Sequence, residues 1–296
     1  MREVLIENSA LSVALHDPAL MSDLIGVVVH QDVRLVISPH SADEVFAHRS
    51  TEYVREHARG LLRLFTETAG RVGVTLATLE LWRQEASGVL AAAPFDGRDW
   101  GRYFLEAARS GRFDHDFTGG IARVVEKQKR RAERTHVEAR PETRMAIKTT
   151  EQVREIVDAL QRYRPEDIPD WLVERWLRHI GRPDSDLALV KTDRSRYRSL
   201  RAGLALLHFG MFANAIPPAR RSAIESQKIR KALDPRWGDD YDIAVAASAA
   251  YCETFIVNDA GLRGRCEMLR PGGCVEFESV TMEAFLNGAK REAESG

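Results

Sequence analysis

The residues with the types and spacing for chemistry are carboxylates. The densest group is Gly238-Asp239-Asp240-Tyr241-Asp242. It is followed by a small, apolar, Ala-rich run over 243–252 and by Thr254-Phe255-Ile256-Val257-Asn258-Asp259. The Ala-rich run predicts a helix of about three turns. Asp242 stands at its start, where capping and the helix dipole favour an acid. The β-branched and aromatic run 254–257 predicts a strand buried on both faces, with Asp259 at its carboxyl end. Ligands of open α/β sheets bind outside the carboxyl ends of the strands. Acids gathered there repel one another, and a divalent cation relieves that repulsion.

Two acids earlier in the chain follow apolar runs in the same way. Val4-Leu5-Ile6 ends at Glu7-Asn8-Ser9, and Arg34-Leu35-Val36-Ile37-Ser38 leads through a turn to Glu44. Alone, Glu7 merely ends a strand. Glu44 has a second reading, because Ser41 and Glu44 have the spacing of a capping box. His40 and His48 read as polar surface residues.

The stretch Asp242-Ile243-Ala244-Val245-Ala246-Ala247-Ser248-Ala249, then Phe255-Ile256-Val257-Asn258-Asp259 and Leu262, resembles the C-terminal half of a PIN domain. The resemblance implies a metal-dependent nuclease, more an endoribonuclease than a DNase, with a toxin-like or defence-related role left open. By the same resemblance Glu7, Glu44, Asp242 and Asp259 hold one or two Mg²⁺ or Mn²⁺ ions, supported by Asp239 or Asp240. The chain departs from the family in carrying Glu7 where Asp is usual. It also has Val257 and Asn258 where a hydroxyl and a further acid are common. Two alternatives stand beside it: a catalytically degenerate PIN-like module that binds nucleic acid or protein, and a phosphatase acting on small phosphate esters. The expected partner is nucleic acid, RNA before DNA; a homodimer and a protein inhibitor stay open.

The elements that must position these residues give an α/β fold with a doubly wound parallel sheet flanked by helices. A first half over 1–93 and a second over 237–296 carry the resemblance, and a largely helical insertion fills 94–236. Helical periodicity over 10–29 breaks at Pro18. Further helices are expected over 44–70, 77–90, 100–110, 121–140, 150–163, 170–180, 196–212 and 220–233. Glu80 and Glu85 read as part of a solvated helix face. Residues 274–280 and 281–286 read as a last strand and a short capped helix. Two basic runs stand out, 127–134 and Arg194, Arg196, Arg198 and Arg201 with Tyr197. The second mixes cations with an aromatic, which suits single-stranded nucleic acid.

Composition narrows the classes further. Of 296 residues, 44% are hydrophobic and 29% charged, as in soluble globular domains, and the net charge of −1 gives no global attraction to nucleic acid. No apolar run reaches membrane-spanning length, and Glu7 and Asn8 interrupt the apolar start, so neither a span nor a signal peptide is expected. The three cysteines lack paired zinc spacing and read as thiols of a reducing, cytoplasmic setting. No Ser-His-Asp order, P-loop or glycine-rich dinucleotide loop competes.

Overall fold

A computed structural model of the chain describes residues 1–46, 50–68, 70–88, 147, 149–182, 186–193, 195–222, 224–234 and 239–295. Five parallel strands form one sheet in the order β3-β2-β1-β4-β5. They are β1 (Arg2–Ile6), β2 (Val33–Ile37), β3 (Val72–Val74), β4 (Thr254–Ile256) and β5 (Glu278–Val280). In register, Ile6 lies opposite Ile37 on one side and Ile256 on the other.

The strands are apolar because both faces are covered, and successive side chains alternate between two cores. Val4, Ile6, Leu35, Ile37 and Ile256 face one core. It is closed by α1 (Asn8–His16), α2 (Pro18–His30), α4 (Thr51–Glu67) and α14 (Met282–Ser295). Leu5, Val36, Phe255 and Val257 face the other. The break between α1 and α2 falls where Pro18 begins a new helix, capped by Asp17.

The second core is built largely from helices that lie between β3 and β4 in the chain. It includes α5 (Thr78–Ser87), α6 (Thr150–Gln161), α7 (Asp170–His179), α8 (Leu187–Thr192) and α9 (Arg198–Ala215). Also in it are α11 (Gln227–Ala232), α12 (Asp239–Ser248) and α13 (Ala260–Leu269). Helix α9 is buried almost all round, as a helix enclosed by others must be. At Gly203 it lies so close to α5 and α12 that a Cβ would come within 2.6 Å of the Trp82 ring and 3.3 Å of the Ala247 Cβ. The boundaries expected near 93 and 236, the helices expected over 100–110 and 121–140, the basic run 127–134 and His48 lie outside the described residues.

Some elements differ from the sequence reading. The single helix expected over 220–233 is two, α10 (Pro218–Arg221) and α11. Ser226 starts the second by accepting the Ile229 amide, and the Arg230 guanidinium donates to the Ile224 carbonyl at the break. The last strand covers only 278–280, and α14 runs well beyond 286. Among the described residues no single helix is long and apolar enough to cross a membrane.

Candidate functional site

The chain leaves central β1 toward β2 and β3, then returns on the other side of β1 as β4 and β5. The order therefore reverses between β1 and β4, and a crevice is expected outside their carboxyl ends. Glu7 follows β1 directly and donates its amide to the Ile256 carbonyl of β4 at 2.9 Å. Asp259 lies three residues beyond Ile256. Both acids stand where that crevice is expected, just beyond the carboxyl ends of β1 and β4.

Glu7 is 5% exposed. As N-cap of α1 its carboxylate accepts the Ser9 amide at 2.8 Å and the Ser9 hydroxyl. Burial holds its carboxyl above the ordinary value; the Ser9 hydrogen bonds oppose this, and repulsion from Glu44 and Asp259 adds to it. Asp259 is the N-cap of α13 and accepts the Leu262 amide at 2.8 Å. Glu44 lies in α3 (Pro39–Phe46), which begins before Ser41. Ser41 is therefore a buried residue inside the helix and not its cap; the Ser38 hydroxyl accepts the His40 amide instead. The capping-box reading of Glu44 falls with it. Three acids from separate parts of the chain thus share one electrostatic neighbourhood.

Asp242 is half-buried and lies within the first turns of α12, three residues after its start at Asp239, so it is not the cap. Helix α12 packs against α3, the helix of Glu44. Burial pushes the Cys266 thiol up, and the carboxylates of Glu267 and Asp242 add to this, which puts Asp242 beside α13, the helix Asp259 caps. The side chains of Asp239 and Asp240 lie outside the described residues. Asn258 is spent on structure: its Oδ1 accepts the Met282 amide at 3.1 Å and ties β4 to α14.

The chain matches no known family model, no curated protein and no solved structure. The geometry alone must carry the reading. The donors fit a hard divalent cation in chemistry, since all are carboxylates and two of them, Glu44 and Asp259, repel Glu7. Among the described residues, however, no three His, Cys, Asp or Glu side chains lie close enough to share one ion.

Other residues take places the sequence did not suggest. His40 is half-buried, and burial pushes its imidazole down to about 4, so it is a neutral ring and not a surface cation. Of the expected basic patch, Arg194 lies outside the described residues; Arg196 and Arg198 are half-buried, and Tyr197 and Arg201 belong to a buried joint. Tyr197 is fully buried with its hydroxyl on Asp186 at 2.7 Å, and Arg201 is 1% exposed. Arg198 and Arg201 share Glu276, and Arg196 donates to the Ala86 carbonyl. No stacking face is left on Tyr197 for a base. Glu85, read as solvated, is fully buried. The sequence carries no signal for it: Ser195 stands before the helix expected from 196, whereas α9 starts at Arg198 with Tyr197 at the cap, so its amides take their acceptor from elsewhere.

Proposed function

We propose that this chain is a PIN-like, metal-dependent nuclease that cleaves phosphodiester bonds of nucleic acid, RNA in preference to DNA, in the crevice between β1 and β4. The observation that carries the reading is the placement of Glu7 and Asp259 just after β1 and β4 at the switch point of the sheet, with Glu44 and Asp259 both near enough to raise the buried Glu7 carboxyl. Carboxylates that only stabilise a fold are ordinarily paired with cations; a group held near others of its own sign is more characteristic of a site. Glu7, Glu44, Asp242 and Asp259 would be the acids that hold Mg²⁺ or Mn²⁺, with Asp239 or Asp240 in support, once their side chains draw together around the ion, since no three of the described acids lie within reach of one ion as placed. Bound there, the ion would supply hydroxide from water and neutralise charge on the scissile phosphate. Ser9 fixes the Glu7 carboxylate through two hydrogen bonds, which limits the freedom of a buried acid of the site.

A second reading has its own support. Glu7 and Asp259 both serve as helix caps, so their acidity has a structural use without any ion. A PIN-like fold that binds nucleic acid or a protein partner without cutting would keep both caps.

One experiment separates these. The chain is incubated with mixed single-stranded and structured RNA and DNA in Mg²⁺, Mn²⁺ or EDTA, beside Glu7→Gln. Cleavage that needs the metal and drops by orders of magnitude in the variant is expected. Binding without metal-stimulated cleavage selects the second reading. Faster turnover of a nucleotide monoester than of any oligonucleotide selects a phosphatase.

A further inference from the structure

Three elements meet at Glu85, far along the chain from the acids of the crevice. Its Oε1 accepts the Ser199 amide at 2.6 Å and the Tyr251 hydroxyl at 2.5 Å, and its Oε2 accepts the Leu200 amide at 2.9 Å. Ser199 and Leu200 lie in the first turn of α9, whose own cap residue Tyr197 makes no side-chain bond to the amides of that turn. A carboxylate of α5 thus caps α9 from outside. Tyr251 ends the 3-10 turn Ala249–Tyr251 that leads into β4. Trp82, less than one turn before Glu85 on α5, donates its indole N–H to the Ser199 hydroxyl at 3.1 Å.

All three bonds donate to the carboxylate. Protonation places a donor among donors, so one bond must reverse or break. The two amides are fixed by the helix; the Tyr251 hydroxyl rotates, and its ring is only partly buried. The charged groups around the joint come from each packed element. Arg201 of α9 favours the Glu85 anion, and Arg198 lies over the Tyr251 ring at 5.2 Å. Both arginines pair with Glu276, which precedes β5. From α12 the facing groups are uncharged, the Ala244 carbonyl and Ser248 on Thr78. From α7, Trp176 packs on Trp82 and carries His179 behind it. Burial pushes the Glu85 carboxyl up to about 7, against the opposing pull of Tyr251, the two amides and Arg201.

We propose that Glu85 and Tyr251 form a proton-operated clasp. With Glu85 ionised, α9 is capped and the turn into β4 is held against α5. With Glu85 protonated, the Tyr251 hydroxyl turns away and that turn is released. The clasp lies on the path to two crevice acids: β4 leads to Asp259, and α9 packs on α12, which bears Asp242. That last consequence alone rests on the nuclease reading. The clasp itself is tested without any activity.

The test follows tryptophan fluorescence of the full chain from about pH 5 to 9. A one-proton transition centred near 7 is expected, and Trp82→Phe should remove it. Glu85→Gln should abolish it. Tyr251→Phe, which deletes a hydrogen bond favouring the anion, should move the midpoint to higher pH. If Glu85→Gln does not fold, the Tyr251→Phe midpoint decides. A transition with an unchanged midpoint in Tyr251→Phe, one that survives Glu85→Gln, or no transition in the parent overturns the clasp.

Discussion

Replacing Glu85 by Gln separates the charge of this carboxyl from its shape, and two effects of different pH dependence follow. The first is constant. Gln keeps one acceptor oxygen but turns an NH₂ toward one of the α9 amides, so one buried N–H loses its partner. That costs at most about 1–3 kcal/mol, because the protonated carboxyl that serves as reference also gives up one of its three bonds. The second varies. The folded-state value of about 7 lies above the ordinary 4.5. A carboxyl raised in this way contributes stability that is fully present below about 4.5 and is lost as pH rises through 7. Because Glu85 is fully buried, the difference converts at about 1.4 kcal/mol per pH unit to about 3 kcal/mol. The parent should therefore lose about this much stability relative to Glu85→Gln between about pH 4.5 and 8. At the acid end the variant is the weaker protein; near pH 8 the gap closes or reverses. Urea midpoints at a series of pH values measure it, and the histidines titrate in both proteins and cancel in the difference. Parallel stability curves would show that Glu85 keeps an ordinary acidity in the fold and that the three donors outweigh its burial.

Two further outcomes bear on the site and the joint. Asp259→Asn keeps an acceptor for the Leu262 amide, and Asn caps about as well as Asp, so its metal-free stability should stay within about 0.5 kcal/mol of the parent. The rise in melting temperature caused by Mn²⁺ should shrink; a variant that melts well below the parent yet responds fully to Mn²⁺ would make Asp259 a cap alone. Gly272→Ala should destabilise by about 3 kcal/mol or more by urea melting, because its Cβ would come within 1.7 Å of the Tyr163 carbonyl oxygen, a backbone atom with little room to yield. A shift below about 1 kcal/mol would mean that this contact relaxes freely.

The strands were legible because burial on both faces writes an uninterrupted apolar run, as in Val4-Leu5-Ile6 and Phe255-Ile256-Val257. The placement of Glu7 and Asp259 at the crevice followed from the same runs, since each acid comes directly or almost directly after one. What was not legible depended on partners distant in sequence. Nothing near Glu85 announces Ser199 or Tyr251, so its helix read as one with a solvated face. Tyr197 and Arg201 looked like a surface mixture because the Asp186 and Glu276 that neutralise the joint lie on other elements. The start of α3 was misplaced because Pro39 opens the helix, and a Ser two residues later resembled a cap. Repulsion among the acids of the crevice could be argued from types and order, but their separation is a matter of side-chain reach that no spacing encodes.

The pairing of Leu5 with Phe255 has a consequence for how the chain is made. The strand at the middle of the sheet is made well before β4, its neighbour on one side. Until then β1 can pair only with β2, and its other edge presents unsatisfied amides and carbonyls beside Val4 and Ile6. Such an edge invites pairing with another nascent chain, and closure over so long a loop is slow. Fragments that stop before Thr254 should therefore collect in aggregates, and synthesis of the whole protein should benefit from chaperones that shield β1 while the helices between are being added.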